Sequence, residues 1–163
     1  MIKVLFVCLG NICRSPLAEA ILNHKIKLRG YEDKISCDSC GTSDFHIGEL
    51  PDDRTIDCAT RYGIQMNHRG RQLQRSDFRD FDYVIAMDES NMANILKLSD
   101  KVRIKPRNLY FMRDFQAAPD FKDVPDPYYG GIDGFEQVYR ILDDALEGFL
   151  QKMEQEQPWN GKP

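Results

Sequence analysis

Residues 2–16 read IKVLFVCLGNICRSP and set an apolar run, a polar turn and a proline in direct succession. The run Ile2–Val7 is rich in β-branched and aromatic residues, which is typical of a buried strand. The Cys8–Ser15 turn that follows contains one glycine. Pro16 suits the first turn of a helix, with Ser15 as its predicted N-cap. The segment therefore predicts a strand, a turn and a helix.

Beyond this segment, short apolar runs alternate with helical patterns. Further strands are predicted at Lys34–Ser39, Tyr83–Met87 and Val102–Ile104, and helices at residues 16–29, Asp52–Arg61, from Asp88 to about Leu98, and Phe135–Phe149. Four prolines between Lys105 and Gly131 and the lack of a clear period predict a long functional loop or a partly helical excursion there. Strands that alternate with helices favour an α/β fold, a parallel sheet covered on both faces with its ligand site at the carboxyl ends of the strands. The length predicts a single domain over residues 1–152 and a frayed tail at 153–163.

The composition excludes several classes of function. Acidic residues outnumber basic ones by 26 to 22, and the net charge of −4 argues against a general nucleic-acid-binding protein. No apolar stretch is long enough to cross a bilayer, and no signal peptide or lipidation motif is recognisable. Five cysteines, an odd number, argue against a secreted disulfide framework. We therefore expect a soluble, cytoplasmic protein with reduced thiols.

The polar turn combines a nucleophile with groups that bind anions. Gly10 and Asn11 allow successive backbone N–H groups to point inward, and the helix N-terminus that follows favours negative charge. The same setting favours a thiolate at Cys8. Arg14 can hold two oxygens of one phosphate group, and the Ser15 hydroxyl can donate a hydrogen bond to the thiolate. We therefore interpret the turn as a cradle for a dianion with a nucleophile at its base.

Two other phosphate-binding loops do not fit the turn. The loop of nucleotide-binding P-loop proteins requires Gly-Lys-Ser or Gly-Lys-Thr, which is absent. A dinucleotide-binding loop requires three spaced glycines, whereas this turn contains Gly10 alone. A nucleotide-binding function is therefore not expected.

Separated motifs along the chain carry a resemblance to a known family. They are Cys8–Pro16, Asp38–Ser39 with Gly41–Thr42, Met87–Asn91 and Asp126–Gly130. In this order they resemble the low-molecular-weight protein tyrosine phosphatase family, and the resemblance extends from Val4 to about Phe149. It implies a flavodoxin-like three-layer fold with a four-stranded parallel sheet. It also implies metal-independent hydrolysis of phosphotyrosine and small aryl phosphates through a phosphocysteine intermediate, with no cofactor.

The resemblance assigns the catalytic roles residue by residue. Cys8 matches the nucleophile, Arg14 the arginine that binds phosphate, and Asp126 the general acid. A departing tyrosinate needs a proton donor, and a carboxyl group held near a dianion tends to keep its proton. We therefore expect Asp126 to approach the turn in the folded protein.

The expected substrate-binding residues form a slot around the phosphate. They are Leu9, Gly10, Asn11, Ile12, Cys13 and Ser15 of the turn, Phe45 on one wall, and Tyr128 and Tyr129 on the other. Aromatic walls suit a flat phenyl ring, which can stack against them. A deep slot favours phosphotyrosine, because the shorter phosphoserine would not reach Cys8.

Four further residues are expected to support the site. Asn11, Ser39 and His68 match residues that form a hydrogen-bond network beneath the turn in relatives. A turn with inward N–H groups needs such partners for its outward groups. Asp88 follows a predicted strand and begins a predicted helix, which makes it a candidate N-cap. Its counterpart in the family orients the arginine or the loop that carries the acid.

The cysteines other than the nucleophile have different expected roles. In relatives the counterparts of Cys8 and Cys13 close a reversible disulfide under oxidant, so Cys13 is the expected redox partner and is otherwise a packing residue. Cys37 and Cys40 lack the second pair that a zinc site needs, and they do not open a helix as a thioredoxin motif does. We expect Cys37 and Cys58 to pack, and a redox role for Cys40 stays open.

Three alternatives stand beside a tyrosine phosphatase. A protein arginine phosphatase of the same family would carry Thr where Ile12 stands and would lack the paired tyrosines. An arsenate reductase of the same fold needs thiols in its C-terminal half, whereas Cys58 is the last cysteine. A non-catalytic phosphate-binding or flavin-binding module would not need both Cys8 and Asp126.

The tyrosine phosphatase interpretation carries expectations about partners. Tyrosine-phosphorylated proteins, kinases among them, are the expected substrates, and inorganic phosphate is the expected product and inhibitor. No nucleic acid, metal ion or membrane insertion is expected, and the oligomeric state is expected to be a monomer or a weak dimer.

Overall fold

The computed structural model describes residues 1–157 and residue 159. Over these residues the elements are β1 Ile2–Cys8, α1 Arg14–Arg29, β2 Ile35–Gly41, α2 Asp53–Arg61, α3 Asp77–Asp80, β3 Tyr83–Ala86, α4 Glu89–Val102, β4 Leu109–Phe111, a 3₁₀ helix Met112–Phe115, and α5 Ile132–Glu156. No helix within this described part is long and apolar enough to cross a membrane.

The four strands form one parallel sheet in the order β2-β1-β3-β4. Parallel neighbours require a crossover; helix α1 supplies it between β1 and β2, and helix α4 supplies it between β3 and β4. The prediction of an α/β fold with a four-stranded parallel sheet is confirmed. Because β1 is flanked on both sides, its carboxyl end at Cys8 lies in the middle of the sheet edge where ligands bind in such folds.

The apolar run of β1 is explained by burial on both faces of the sheet. Val4 and Phe6 belong to a core cluster with α1, α2 and α5, whereas Leu5 and Val7 belong to a second cluster with α3 and α4. All four side chains are fully buried. Alternate residues of a strand point to opposite faces, so a central strand covered by two helical layers is apolar throughout.

The fourth strand was predicted at Val102–Ile104, and this prediction is wrong. The strand is Leu109–Phe111, whereas Val102 ends α4 and Arg103 caps that helix in the left-handed region with φ 57°. Val102 and Ile104 pack against the second core cluster, which accounts for their apolar character without strand pairing. Helix α4 therefore runs four residues past the predicted end at Leu98. The segment predicted to be a loop or partly helical contains β4, which was not predicted, and the 3₁₀ helix Met112–Phe115.

Two predicted helix ends also need correction. Helix α1 begins at Arg14 with Cys13 in the N-cap position, so Ser15 lies inside the first turn and is not the cap. Helix α5 continues to Glu156 with Met153 fully buried, so the domain end predicted at residue 152 falls within this helix. Pro158 and residues 160–163 of the predicted tail lie outside the described residues.

Candidate active site

Asn11 holds the Cys8–Ser15 turn in shape. Its backbone has φ 58°, the left-handed region that asparagine tolerates better than most residues. Its side-chain Nδ2 donates to Ser15 Oγ at 2.8 Å and to Ser39 Oγ at 3.0 Å. Its Oδ1 accepts from the Arg71 N–H at 3.0 Å and lies 2.6 Å from His68 Nε2. One amide group therefore joins the turn to β2 and to the segment that contains His68.

The outward carbonyl groups of the turn are also bonded. The carbonyls of Cys8 and Leu9 accept from Thr42 N and Ser43 N at 2.9 and 3.0 Å, and the Ile12 carbonyl accepts from Asp52 N at 2.8 Å. A Cβ atom on Gly41 would lie 2.6 Å from the Leu9 carbonyl oxygen, so the close approach of β2 requires glycine. These bonds leave the inner side of the turn facing a cavity.

A second hydrogen-bond network supports Asn11 from below. Ser39 Oγ donates to Glu19 Oε1 at 3.0 Å, and His68 Nδ1 lies 3.1 Å from the same oxygen and 3.7 Å from Asp38 Oδ1. Among the described residues, Glu19, Asp38 and His68 are the cluster with ligand atoms close enough to hold a metal ion. Their oxygens already accept hydrogen bonds from Ser39 and Arg71, and these bonds tie the cluster to the turn.

The Cys8 thiol lies at the bottom of the cavity beneath the inward face of the turn. Its Sγ is hydrogen-bonded to Ser15 Oγ at 2.9 Å and accepts from the Asn11 N–H at 3.3 Å. The N-terminus of α1 begins at Arg14, so a negative charge on the sulfur faces the positive end of this helix. The surroundings of Cys8 therefore suit a thiolate and a bound anion.

Arg14 is 3% exposed and is oriented by two acceptors. Its Nη1 donates to Asp88 Oδ2 at 2.7 Å and to the Val124 carbonyl at 3.0 Å. Burial alone lowers the pKa of Arg14, but the charges of Cys8, Asp88 and Asp126 outweigh it and raise that pKa above its ordinary value. The guanidinium is therefore a permanent positive charge beside the thiol.

Asp88 has the double role that its position predicts. Its Oδ1 accepts from the Asn91 N–H at 2.7 Å and caps α4, which agrees with the predicted N-cap. Its Oδ2 accepts from Arg14. The carboxylate thereby fixes the arginine relative to the end of β3.

Asp126 approaches the turn from a segment more than a hundred residues away in sequence. Its Oδ2 lies 3.6 Å from Arg14 Nη2, and its Oδ1 accepts from the Tyr128 N–H at 3.0 Å. The side chain is 38% exposed, so it remains in contact with solvent. The carboxyl group therefore lies near the guanidinium and can exchange protons with water.

A cavity of about 340 Å³ brings most of the predicted residues together. It is lined by Cys8, Leu9, Gly10, Ile12, Cys13, Arg14, Phe45, His46, Asp126, Tyr128 and Tyr129. The rings of Tyr128 and Tyr129 meet edge to face with centroids 5.0 Å apart. Phe45 is 70% and Tyr129 93% exposed, so both stand at the mouth. The cavity has a polar base and an aromatic rim.

Two residues predicted to bind substrate do not line this cavity. Asn11 and Ser15 are almost fully buried beneath the turn, where their side chains bond to each other. Their side chains therefore support the turn from below, and substrate binding by these two residues stays a prediction for their backbone N–H groups. Their polar side chains are used to hold the turn, which leaves only their backbone to face an anion.

Sequence reasoning missed one residue of the cavity wall and one of its supports. His46 lines the cavity, and its Nδ1 contacts Glu49 Oε2. The position of His46 next to Phe45 in the sequence was the one indication that it lines the cavity. Glu19 supports Ser39 and His68, but nothing in its spacing on α1 indicates this contact.

The remaining cysteines lie in separate environments. Cys13 lines the cavity, and burial raises its pKa to about 12. Cys40 is fully buried in the second core cluster, and burial raises its pKa well above the ordinary value. Cys37 packs against the other face of the sheet, so Cys37 and Cys40 point apart. Cys58 is buried in the first cluster, as expected.

Comparison with known proteins gives consistent matches over the whole described fold. A family model described as low molecular weight phosphotyrosine protein phosphatase matches residues 3–158. The low molecular weight phosphotyrosine protein phosphatase of Schizosaccharomyces pombe is 43% identical over 157 residues, which cover 93% of this chain and 97% of that protein.

Solved structures match equally well. The protein tyrosine phosphatase from Entamoeba histolytica superposes with a TM-score of 0.88 at 39% identity, over 96% of this chain and 99% of that chain. An arginine phosphatase from drosophila superposes with a TM-score of 0.89 at 34% identity, over 94% of this chain and 98% of that chain.

Proposed function

The chain belongs to the low molecular weight phosphotyrosine protein phosphatase family and is a protein tyrosine phosphatase, and we propose that Cys8, Arg14 and Asp126 carry out its reaction. The observation that supports this assignment most is their convergence on one cavity. A buried thiol, a fixed guanidinium and a partly exposed carboxyl group meet there from β1, α1 and the loop before α5. These are the nucleophile, the anion-binding group and the acid that phosphate ester hydrolysis needs.

The first step transfers the phosphoryl group to the enzyme. The Cys8 thiolate attacks phosphorus in line with the phenolic oxygen, so an S–P bond forms as the P–O bond breaks. Arg14 and the inward N–H groups of the turn bind the three remaining oxygens, where positioning and charge stabilisation dominate catalysis. Asp126 gives its proton to the phenolic oxygen, and tyrosine leaves as the neutral phenol.

The second step returns the enzyme to its starting state. Asp126, now a carboxylate, accepts a proton from a water molecule that attacks phosphorus on the side vacated by the phenol. The S–P bond breaks and Cys8 leaves as a thiolate, which the hydrogen bond from Ser15 Oγ stabilises. The product is inorganic phosphate, which occupies the same cradle and therefore acts as an inhibitor.

The walls of the cavity favour phosphotyrosine among the possible phosphorylated residues. A phenyl ring can lie between the apolar side chain of Ile12 and the aromatic rings of Tyr128 and Tyr129. The similar structure from drosophila bears the name arginine phosphatase. Ile12 and the paired tyrosines depart from the pattern expected for that specificity, so tyrosine remains the proposed substrate class.

Replacement of Asp126 by alanine tests the acid. We expect Asp126→Ala to lower kcat/KM for phenyl phosphate by about 10²–10⁴-fold, the usual contribution of a general acid. The loss should be smaller for para-nitrophenyl phosphate, whose leaving group departs without a proton. Asp120→Ala, in the same exposed segment, serves as the control. Equal losses on both substrates would contradict the role of Asp126 as proton donor.

A redox role of Cys13 also belongs to this proposal. Cys8 and Cys13 line the same cavity, and the raised pKa of Cys13 keeps it a thiol at neutral pH. Peroxide therefore oxidises Cys8 first: the thiolate sulfur takes one peroxide oxygen as the O–O bond breaks, and with one proton from solvent a sulfenic acid and water form. The Cys13 sulfur then displaces the hydroxyl group, closing a disulfide and releasing a second water.

Cys13→Ser tests this protection. We expect wild-type activity to return after peroxide and dithiothreitol, whereas the variant loses activity irreversibly because its sulfenic acid is oxidised further. Over the pH range in which the protein stays folded, disulfide formation in the wild type should become faster as pH rises, since burial raises the pKa of Cys13 and its thiolate fraction grows with pH. Equal recovery of both proteins would show that Cys13 does not protect Cys8.

The proposed reaction also suggests the location, the partners and the oligomeric state of the enzyme. A thiolate nucleophile needs a reducing compartment, so we place the enzyme in the cytoplasm. Its partners are tyrosine-phosphorylated proteins, kinases among them. The working unit is a monomer or a weak dimer, since each chain supplies all the proposed catalytic groups.

A further inference from the structure

Asp126 lies on a loop that has more hydrogen bonds to the rest of the protein on its N-terminal side than on its C-terminal side. On the N-terminal side, Val124 donates to the Met87 carbonyl at 2.8 Å and its own carbonyl accepts from Arg14. Asp123 is also bonded there, to the Glu89 N–H and to Arg113 Nη1. The N-terminal side of the acid is therefore fixed to β3, α4 and the 3₁₀ helix.

On the C-terminal side, where the loop leads into α5, a single arginine supplies the side-chain anchor. Arg54 Nη2 donates to the Tyr128 carbonyl at 3.0 Å. In the part of the chain that the structure describes, no other side chain from outside the loop hydrogen-bonds residues 127–131. The remaining bonds of this segment are between backbone groups or within the loop: Tyr128 N to Asp126, Gly130 N to the Pro127 carbonyl, and Gly134 N of α5 to the Gly131 carbonyl.

Arg54 is itself rigidly held. Its Nε and Nη2 donate to the two oxygens of Asp52 at 3.0 and 2.9 Å, a bidentate pair. Its guanidinium carbon lies 4.7 Å from the ring centroid of Phe135 and 5.5 Å from that of Tyr128. The hydrogen bonds from Arg54 lower the pKa of the Asp52 carboxyl, so the pair remains charged at neutral pH.

Asp52 connects this anchor to the Cys8–Ser15 turn. Its backbone N–H donates to the Ile12 carbonyl at 2.8 Å. A continuous chain of bonds therefore runs from Ile12 through Asp52 and Arg54 to the Tyr128 carbonyl. The N–H of Tyr128 then bonds the Asp126 carboxylate. Tyr128, the residue whose N–H orients the acid, is thus reached through its carbonyl from the same turn that carries the nucleophile.

We infer that Arg54 is a positioning residue for the reaction, which sets the distance between the acid on Asp126 and the turn that holds the phosphate. It touches neither substrate nor reacting atoms. It acts by fixing Tyr128, whose N–H holds one carboxylate oxygen and leaves the other to face the substrate. This inference rests on the proposed role of Asp126 as the acid.

A guanidinium is required for this connection. It presents several N–H groups in one plane, so it can bond both oxygens of Asp52 and the Tyr128 carbonyl together while its face contacts Phe135. A lysine ammonium at this position could keep the charge and the contact with a ring. It could not keep all three hydrogen bonds in the same geometry.

The experiment measures kcat/KM on aryl phosphates whose leaving groups differ in basicity, for Arg54→Gln, Arg54→Lys and the wild type. We expect Arg54→Gln to lower kcat/KM for phenyl phosphate by about 10–100-fold, the order of loss that a misplacement near 1 Å causes. The loss should shrink as the leaving group becomes less basic. Arg54→Lys should lose less kcat/KM, with the same dependence on the basicity of the leaving group. If Arg54→Gln does not fold, the result for Arg54→Lys is used in its place.

Arg61→Gln is the matched control. Arg61 lies on the same helix α2 and forms a similar surface pair with Glu136 of α5, away from the acid. It should keep the wild-type dependence on the leaving group. A leaving-group effect of the same size in this control would overturn the inference, because it would reflect a general loss of helix α2 packing.

A double variant separates positioning from a merely structural role. If Arg54 acts through Asp126, adding Arg54→Gln to Asp126→Ala causes no further loss on phenyl phosphate. The inference is overturned if the double variant loses activity by the product of the two single losses. It is also overturned if Arg54→Gln alone loses the same factor on every substrate.

The failure of the proposed acid can be distinguished from the failure of the inference about Arg54. If Asp126→Ala alone retains its activity on phenyl phosphate, the proposed acid itself is wrong. If Asp126→Ala loses activity and both Arg54 variants retain it, only the inference about Arg54 is wrong.

Discussion

Cys8→Ser is expected to abolish turnover of aryl phosphates, with a loss of kcat on the order of 10⁴–10⁶-fold, while the protein still binds phosphate. A serine hydroxyl at this position is a weak nucleophile at neutral pH unless a general base activates it. The groups hydrogen-bonded to the Cys8 sulfur are the Ser15 hydroxyl and the Asn11 N–H, and neither is such a base. The anion-binding groups, Arg14 and the backbone of the turn, are unchanged in this variant.

The measurement for Cys8→Ser combines steady-state kinetics with calorimetric titration of phosphate. Cys37→Ser is the matched control, because it makes the same atomic change on β2 where Cys37 Sγ already lies 3.3 Å from Asn23 Oδ1. The control should retain wild-type activity. Residual turnover in Cys8→Ser near the wild-type value would exclude a phosphocysteine mechanism.

Arg14→Lys is expected to lower kcat by about 10³-fold or more, a loss within the range reported for arginines that stabilise phosphoryl transfer. The guanidinium holds Asp88 and the Val124 carbonyl through Nη1 and turns its remaining N–H groups toward the cavity. A lysine has three donors on one nitrogen and cannot hold these acceptors and two phosphate oxygens together.

Arg14→Lys and Cys8→Ser should differ in their effects on binding. Arg14→Lys should weaken phosphate binding as well as turnover, whereas Cys8→Ser should affect turnover alone. The thermal unfolding midpoint of each variant shows whether the fold is retained. Unchanged phosphate affinity in Arg14→Lys would contradict the assignment of Arg14 as the main anion-binding side chain.

The parts of the fold that are determined locally could be predicted from the sequence. The continuous apolar run of β1 indicates a strand buried on both faces. In the turn after it, Gly10 and Asn11 indicate the backbone conformation, and Arg14 indicates a group that binds anions. Strand β4 could not be predicted, because Leu109–Phe111 is short and half-buried and its identity depends on pairing with β3. The start of α1 also depends on a tertiary contact, since the Ser15 side chain bonds Cys8 and does not cap the helix.

The site residues also divide into those that local sequence motifs reveal and those that only tertiary contacts reveal. Cys8, Arg14 and Asp126 belong to motifs with recognisable residue types, so they could be proposed before the fold was seen. Arg54 could not be found in this way, because Asp52 and Arg54 resemble an ordinary helix cap on the surface. Only the fold brings the Tyr128 carbonyl, 74 residues away, to the guanidinium.

The central claim is that the phosphoryl group passes through the Cys8 sulfur. Rapid quenching of Asp126→Ala in alkali during turnover of para-nitrophenyl phosphate, followed by peptide mass spectrometry at a pH where the S–P bond survives, tests it most directly. Loss of the base that activates water should let the phosphoenzyme accumulate. We predict one phosphoryl group on the peptide that contains Cys8, bound through sulfur and absent in the same variant carrying Cys8→Ser. Two results would contradict this mechanism. One is a phosphoryl group on any other residue. The other is an Asp126→Ala variant that hydrolyses para-nitrophenyl phosphate at the wild-type rate and yields no trapped phosphoenzyme.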